Sequence, residues 1–158
     1  MYDIAVIGAG PGGLSAATHA AELGISHILL ESSPKIANTI QKYQKGKHVM
    51  AEPGVLPLRT PMAFSVGKRE DILSNWEANV NTHETNIRFN AEVSGITGEP
   101  DNFTISLTGG AMVSAAKIVL AIGLQGNPRT LGIPGDEAGF VQYQLDDPDA
   151  YRDETIVI

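Results

Sequence analysis

The sequence predicts an α/β fold in which a parallel sheet carries a small inserted antiparallel β-meander. Three observations predict it: an apolar run that ends in a glycine-rich turn, a helical segment that leads to a second apolar run, and a later series of short strand-like runs separated by turn residues. Apolar strands that alternate with helical segments are typical of parallel sheets, because the helices cover the faces of the sheet.

The first 31 residues are ordered as strand, turn, helix and strand. Residues 3–7 are predicted to form the first strand, residues 11–23 a helix that Gly24 ends, and residues 27–31 the second strand. Between the first strand and the helix stands Gly8-Ala9-Gly10-Pro11-Gly12-Gly13. In this context a GxGxxG pattern is typical of a Rossmann-like dinucleotide-binding fold.

The residues of this turn have separate expected roles. Gly8 permits a tight turn, Gly10 lets a pyrophosphate approach the backbone, and Gly13 lets the helix pack close to the strand. Pro11 suits the first helical turn, where a missing N–H group costs little. The free N–H groups and the positive end of the helix dipole favour an anion without a lysine. We therefore predict that an ADP moiety binds at Gly8 to Gly13.

Glu31 supplies the acid that should accompany such a turn. It lies 18 positions after Gly13, close to the spacing of about 20 residues expected for the carboxylate that binds an adenosine ribose. Its charge also disfavours a 2′-phosphate. The alternative interpretation is a structural turn followed by a surface glutamate.

Composition excludes several classes of function. The 158 residues include 11 basic and 18 acidic side chains, for a net charge of −7, and no cysteine. The length fits one domain or most of one, and the charge argues against nucleic acid as a partner. A disulfide, a thiolate metal site and a redox-active cysteine pair are excluded within the chain.

The chain is also predicted to be soluble and cytoplasmic, without a membrane partner or a metal site. The N-terminus lacks a basic leader region, and no apolar run approaches the about 20 residues of a membrane span. His19 and His27 are interpreted as surface or packing residues, because no second ligand is spaced to join either of them.

The chain after residue 66 divides into a helix and a set of strands. Ile72, Leu73, Trp76 and Val80 recur at helical spacing, and Trp76 is interpreted as a core anchor rather than as a stacking platform. The runs assigned to the meander are Ile87–Phe89, Ala91–Ile96, Phe103–Leu107 and Met112–Ser114.

Lys117–Gly123 is predicted to be a buried parallel strand. The small residues at its Ala121-Ile122-Gly123 end would let the backbone approach a cofactor. Asn127-Pro128-Arg129 and Ile133-Pro134-Gly135 are typical of turns, and Thr155–Ile158 is predicted to be a last strand.

Three parts of the sequence together resemble the N-terminal FAD-binding region of the pyridine nucleotide-disulfide oxidoreductase family, to which thioredoxin reductase belongs. They are the glycine-rich turn, Glu31, and Ala116–Gly123 followed by Ile133-Pro134-Gly135. The resemblance covers nearly the whole chain and implies that residues 1–158 form a Rossmann-like FAD-binding domain. Ala121-Ile122-Gly123 matches the "ATG" segment of the family, with Ile122 in place of Thr. Lys42–Ile72 resembles, more specifically, cyclic-nucleotide-regulated FAD-dependent oxidoreductases.

The resemblance, together with the turn and Glu31, implies a set of cofactor-binding residues. By the family match, the backbone of Val93 meets the adenine and Thr39 lies on the chain that reaches the flavin. The full set is Gly8, Gly10, Pro11, Gly12, Gly13, Glu31, Ser32, Thr39, Val93, Ala121, Ile122 and Gly123.

Residues 32–66 are predicted to be a long excursion with little helical or alternating pattern, which is typical of functional or disordered loops. Between Glu31 and Glu52 its charged side chains are all basic, namely Lys35, Lys42, Lys45 and Lys47, with His48 beside them. Two interpretations stay open. These cations either stabilise a reduced flavin or a second anionic substrate, or they form a solvated basic loop.

The function that the resemblance implies is the FAD-binding part of an NAD(P)H-dependent flavin oxidoreductase, in which a hydride passes from the nicotinamide to the flavin. The family's second GxGxxG and its late FAD-binding aspartate do not occur in this sequence, and Thr155–Ile158 resembles the strand that precedes that second motif. This implies a fragment whose NAD(P)H-binding domain is missing, or one subunit of a split enzyme.

The electron acceptor is not identified by the sequence. Without cysteine the chain cannot itself reduce a disulfide, so any dithiol lies elsewhere or the acceptor is of another kind, such as ferredoxin. The catalytic residues, the choice of NADH or NADPH, and a homodimer or a partner subunit also stay open.

Two other functions fit the same fold. The first is an NAD-dependent dehydrogenase, which the strand-rich insertion and the Ala121-Ile122-Gly123 segment disfavour. The second is a non-catalytic nucleotide-binding module.

Overall fold

A computed structural model describes residues 1–50, 58–124, 129–139, 141–143 and 148–157. Its helices and strands are, in chain order, β1 (Tyr2–Ile7), α1 (Pro11–Glu22), β2 (His27–Leu30), α2 (Asn38–Gln41), β3 (His48–Val49), β4 (Gly67–Lys68), α3 (Arg69–Thr82), β5 (Ile87–Arg88), β6 (Val93–Glu99), β7 (Asn102–Leu107), β8 (Met112–Leu120) and a 3₁₀ helix (Pro148–Tyr151). In this part of the chain, β3 pairs with β4, and the other strands form one sheet in the order β5-β2-β1-β8-β7-β6.

Four strands form the parallel half of the sheet. β1 pairs in parallel with β2 and with β8, and β2 pairs in parallel with β5. Ile7, at the end of β1, lies beside Leu30 on one side and Leu120 on the other. Helix α1 connects β1 to β2, and α3 precedes β5. The predicted α/β fold with a mostly parallel sheet is confirmed.

The meander is formed by the antiparallel strands β6, β7 and β8. The predicted division into Met112–Ser114 and Lys117–Gly123 was wrong, because β8 is one continuous strand that pairs first with β7 and then with β1. The parallel pairing of its second half is confirmed, but the predicted burial was wrong, since Leu120 is 63% exposed. The polarity of the side chains changes along β8 at the point where its neighbouring strands change. The sequence pattern therefore resembles two separate strands. Ile87–Arg88 was wrongly assigned to the meander, since β5 forms the opposite, parallel edge.

The two faces of β1 are buried in separate clusters, because successive side chains of a strand point in opposite directions. Val6 packs with Leu14 and Ala17 of α1 and with Trp76 of α3. Ala5 packs in the second cluster, with Ile28 and Leu30 of β2 and with Ile105, Leu107 and Val113 of the meander. The helices therefore cover one face of the central strands, and the meander covers the other.

Gly24 ends α1 as predicted, although the helix stops at Glu22 rather than at residue 23. Gly24 has φ +66° and donates its N–H to the Ala21 carbonyl at 3.0 Å, while the Ile25 N–H bonds the Ala20 carbonyl at 2.9 Å. This pair of bonds is a Schellman motif, which satisfies carbonyls that a helix end leaves free.

Residues 32–66 contain short elements that the sequence pattern did not predict. α2 lies within this range, and β3 pairs with β4, so that Val49 faces Gly67. Elements of four and two residues are too short to show periodicity. Pro53, Gly54 and Pro57 lie outside the described residues.

Two predictions near the C-terminus have different outcomes. The Ile133-Pro134-Gly135 turn is confirmed by a bond from the Asp136 N–H to the Ile133 carbonyl at 3.1 Å. The strand predicted at Thr155–Ile158 was wrong, because residues 155–157 are not in a strand, and Ile158 lies outside the described residues. Asn127 and Pro128, from the other predicted turn, also lie outside them.

Trp76 is the core anchor that the sequence predicted. Its side chain is buried, its ring lies 5.2 Å from the ring of Phe64, and its Nε1–H donates to the Ala63 carbonyl at 3.1 Å. It therefore joins α3 to the segment that precedes β4. The indole nitrogen, which would be costly to bury alone, has a partner.

The two histidines are packing and surface residues, as predicted. Nδ1 of His27 bonds the Ile25 carbonyl at 2.8 Å, and its Nε2 accepts from the Asn86 N–H at 3.0 Å. His19 lies at the surface, 3.1 Å from Glu22. Within the described ranges, no helix is long and apolar enough to cross a membrane, and no group of three or more His, Cys, Asp or Glu is placed to hold a metal.

Truncation of the indole tests this account of the core. We expect Trp76→Ala to lower the free energy of unfolding by about 3–5 kcal/mol, because it leaves a cavity and removes a hydrogen bond. Glu77→Ala, at an exposed neighbouring position of α3, is the control and should change stability by less than about 0.5 kcal/mol. Urea unfolding followed by circular dichroism measures both, and equal losses would contradict the assignment.

Candidate functional site

A cavity of about 880 Å³ opens at the carboxyl ends of β1, β2 and β8. The chain runs outward from β1 to β2 and β5, and then returns to β8 on the other side of β1. Ligands of open α/β sheets bind at such a change of direction. The volume lies within the range of about 300–1,000 Å³ that is usual for small-molecule sites.

Gly8 and Gly13 allow the close backbone contacts beneath the cavity. Gly8 has φ +99°, and a Cβ on it would lie 2.5 Å from the Ala121 carbonyl oxygen. A Cβ on Gly13 would lie 1.8 Å from the Gly8 carbonyl oxygen. The tight turn and the close helix packing predicted for these glycines are therefore confirmed. Gly13 lies behind the turn, and it is the one predicted site residue that does not line the cavity.

Gly10 and Gly12 line the cavity and leave its floor open. A Cβ on either would meet nothing within 4 Å. Gly10 precedes Pro11 as the N-cap of α1 without a side-chain cap, and the first turn carries no acidic residue. The first helical bond joins the Leu14 N–H to the Gly10 carbonyl at 2.9 Å. The earlier N–H groups therefore have no helical acceptor, and the positive end of the dipole lies at the cavity.

Glu31 connects the glycine-rich turn to the end of β2. Glu31 is 7% exposed, and its two carboxylate oxygens accept the Ala9 N–H at 2.7 Å and the Ser33 N–H at 2.8 Å. The Ser32 hydroxyl lies 3.3 Å from the same carboxylate. A carboxylate accepts about four hydrogen bonds, so Glu31, which lines the cavity, retains some acceptor capacity.

The segment after β8 forms another wall. The Ala121 N–H donates to the Ile7 carbonyl at 2.8 Å, which extends the pairing with β1 to the mouth of the cavity. Ile122 and Gly123 continue the wall, and Ile122 is 70% exposed. The sequence predicted that the small residues here let the backbone approach a cofactor. The structure shows that Ala121 also lies in close contact with Gly8.

Helix α2 contributes a wall that sequence reasoning found only in part. Thr39, which was predicted, lines the cavity together with Asn38, Tyr43 and Val49, which were not. Ala37 was also missed. It has φ +51° and donates its N–H to the Ala9 carbonyl at 2.7 Å. A left-handed alanine gives no sequence signal, because nothing in its identity distinguishes it from a helical alanine.

The remaining predicted residues lie in the same cavity. Ser32 follows Glu31 on one side, and Val93 lies at the start of β6 beside Ala91 and Glu92. The structure therefore brings to one cavity the glycine-rich turn, the end of β2, the start of β6 and the segment after β8.

None of the basic side chains of the segment Lys42–His48 lines this cavity, although Tyr43 of the same segment does. Among the described residues that line the cavity there is no lysine, arginine or histidine. The segment is bound to the start of α3 instead: Gly46 donates its N–H to the Glu70 carboxylate at 3.2 Å, and Arg69 donates from Nη1 to the Tyr43 carbonyl at 2.6 Å. The Nζ atom of Lys47 lies 4.2 Å from the centre of the Tyr43 ring.

Glu70 is the titratable group that fixes this segment. Hydrogen bonds from its own backbone N–H, and then from the Gly46 N–H, hold the pKa of the Glu70 carboxyl below its ordinary 4.5. The positive charges of Arg69 and Lys45 act in the same direction. Glu70 is therefore ionised at neutral pH and accepts the Gly46 N–H as a carboxylate.

Residues 5–158 match the family model described as pyridine nucleotide-disulphide oxidoreductase. The chain is 27% identical over 158 residues to the ferredoxin–NADP reductase of Ignicoccus hospitalis, covering 100% of this chain and 48% of the relative. It is 27% identical over 161 residues to the protein of that name from Picrophilus torridus, covering 99% of this chain and 46% of the relative.

Among solved structures, the bacillithiol disulfide reductase of Staphylococcus aureus superimposes with a TM-score of 0.70 at 23% identity, covering 87% of this chain and 43% of that one. This likeness concerns the fold. The chain spans about half the length of the relatives that it matches.

Two adjacent glycines allow a matched test of the packing beneath the cavity. We expect Gly13→Ala to destabilise the fold by at least about 1–3 kcal/mol, because its Cβ would strike the Gly8 backbone, which cannot move as a side chain would. Gly12→Ala enters open space and should be neutral or stabilising by up to about 1 kcal/mol. Thermal unfolding compares them, and equal effects would contradict the close contact.

Acid should weaken the hydrogen bond between the Gly46 N–H and the Glu70 carboxylate. A lowered folded pKa means that the contribution of Glu70 to stability is fully present above pH 4.5 and is lost as pH falls through the folded pKa. We expect the amide proton shift of Gly46 to titrate with a midpoint below 4.5 in NMR spectra. Glu70→Gln should remove this titration, and a midpoint at or above 4.5 would contradict the bond.

Proposed function

Because this chain belongs to the pyridine nucleotide-disulphide oxidoreductase family, we propose that residues 1–158 form the FAD-binding part of an NAD(P)H-dependent flavin oxidoreductase. When bound, the flavin supplies the chemistry, since it takes a hydride from the nicotinamide and delivers electrons to an acceptor. The observation that carries the proposal is the single cavity into which the uncapped start of α1, Glu31 and the Ala121–Gly123 segment all open.

The residues present fit the ADP half of such a cofactor. The N–H groups at the start of α1 would hold the pyrophosphate, because an anion there has free donors and a favourable dipole. The empty space above Gly10 and Gly12 supports close approach of the phosphates. Glu31 would accept a hydrogen bond from the ribose, since it lines the cavity and its carboxylate keeps acceptor capacity beyond the three hydrogen bonds that it already accepts.

Other walls would hold the two rings of the cofactor. Val93, with Ala91 beside it, would meet the adenine. Thr39 and the half-buried Tyr43 lie on the chain that follows Ser32 and Ser33 along the cavity, and they would contact the flavin half. Ala121, Ile122 and Gly123 would close the remaining side, where the small side chains of Ala121 and Gly123 leave the backbone accessible.

We further propose ferredoxin as the electron acceptor. The relatives from Ignicoccus hospitalis and Picrophilus torridus are named ferredoxin–NADP reductases. The 158 residues contain no cysteine, so reduction of a disulfide would need thiols that lie outside these residues. A one-electron acceptor that binds at the protein surface makes no such demand on this chain.

Retention of FAD tests the proposal, and Gly10→Ala tests the position of the pyrophosphate. After incubation with FAD and desalting, the purified chain should keep a flavin absorbance band. We expect Gly10→Ala to weaken FAD binding by about tenfold or more, equivalent to at least about 1.4 kcal/mol, because its methyl group projects into the phosphate space without striking protein atoms.

Gly95→Ala is the matched control, since its Cβ also enters open space but Gly95 lies in the meander, away from the residues that line the cavity. It should leave both folding and FAD binding unchanged. A wild-type chain that retains NAD but no FAD would contradict the proposal and support the dehydrogenase alternative. Equal FAD binding by the two alanine variants would contradict the proposal that the pyrophosphate binds at this turn.

A further inference from the structure

We propose that Lys47 places a positive charge behind the cavity, through the ring of Tyr43, and thereby favours the more negative, reduced state of the bound cofactor. This inference rests on the proposed function, since it concerns the oxidation state of a flavin held in the same cavity. It assigns a role to one cation of the basic segment. Of the side chains in that segment, only Tyr43 lines the cavity.

The ring of Tyr43 connects the cation to the cavity. Tyr43 is half-buried, packs against the cluster that contains Leu14 and Trp76, and lines the cavity. Lys47 is exposed and does not line it, but its Nζ lies 4.2 Å from the centre of the Tyr43 ring. An ammonium over a tyrosine face is attracted by the ring quadrupole, which gives the charge a preferred position.

The backbone beneath this pair is fixed by the first residues of α3. Arg69 donates from its backbone N–H to the Lys47 carbonyl at 2.8 Å and from Nη1 to the Tyr43 carbonyl at 2.6 Å. Glu70 binds the N–H of Gly46, which precedes Lys47. The Lys47 N–H in turn bonds the Gln44 carbonyl at 3.0 Å. Four bonds therefore hold the short segment from Tyr43 to Lys47 in one conformation.

Among the described residues, no ion pair joins Lys47 to a carboxylate. Arg69 and Glu70 lie 3.8 Å apart and offset each other, and the Glu70 carboxylate is directed at the Gly46 N–H. A positive charge near a redox cofactor stabilises whichever oxidation state is more negative. Because the Lys47 ammonium is exposed to solvent, its effect is screened, and we expect a modest shift that grows as the salt concentration falls.

The midpoint potential of bound FAD measures the effect in the full 158-residue chain. We expect Lys47→Met to lower the ratio of the affinities for reduced and oxidised FAD by about fivefold. At about 30 mV per factor of ten, the midpoint potential of the bound FAD should then fall by about 20 mV. Lys47→Arg keeps the charge and should keep the potential. Lys45→Met is the matched control, because it removes an equal charge from an exposed position two residues away and should shift the potential by much less.

The role of the ring is tested by a double-mutant cycle. In a Tyr43→Leu background, Lys47→Met should have less than half of its effect on the potential, while Tyr43→Phe keeps a ring and should preserve the effect. A second measurement needs no cofactor: the ε-methylene protons of Lys47 should show a ring-current shift in NMR spectra that disappears in Tyr43→Leu.

The outcomes separate this inference from the proposed function. A wild-type chain that retains no FAD overturns both. Bound FAD with the same potential in the wild type, Lys47→Met and Lys45→Met overturns only the role of Lys47. Random-coil shifts for the Lys47 ε-methylene protons in the wild type overturn the stacked pair itself, whatever the potential.

Discussion

The backbone contact that joins Gly8, Gly13 and Ala121 is the constraint on which the rest of the site depends. Side chains larger than hydrogen at the two glycines would come within 2.5 Å and 1.8 Å of carbonyl oxygens. This contact brings the start of α1 against the ends of both β1 and β8, at the point where the strand order reverses. Because the helix cannot move outward without losing this packing, its free N–H groups stay directed at one cavity.

Ala9 extends this constraint to the walls of the cavity. Its N–H donates to the Glu31 carboxylate at 2.7 Å, and its carbonyl accepts the Ala37 N–H at 2.7 Å. The turn is thereby bonded both to the end of β2 and to the start of α2. The left-handed backbone of Ala37 costs about 1 kcal/mol or more, and the bond to Ala9 and its burial hold it there. Glu31 therefore joins the glycine-rich turn to the end of β2, in addition to being a candidate ribose-binding residue.

The sequence predicted the parts of this site that are encoded locally and missed those that depend on distant contacts. Gly8, Gly13 and Gly24 carry their conformational requirement in their own identity, and the structure confirms the tight turn, the close helix packing and the helix end predicted for them. Tyr43 and Ala37 gave no such signal, because their place at the cavity follows from bonds to Arg69 and Ala9. The same holds for β8, whose continuity is set by two successive neighbours rather than by its own pattern.

In the proposed site, the groups that bind the diphosphate differ from the charge that biases the oxidation state of the flavin. No cationic side chain lines it among the described residues, while Glu31 and Glu92 do, so attraction for a diphosphate must come from neutral N–H donors and a helix dipole equivalent to about half a charge. Such donors act only at hydrogen-bond distance, which makes affinity depend on close approach at Gly10 and Gly12 more than on net charge. A lysine beside the diphosphate would strengthen binding of both oxidation states alike, because the charge of the diphosphate does not change on reduction. Lys47, set back behind the Tyr43 ring, acts more weakly on binding and can still bias the oxidation state.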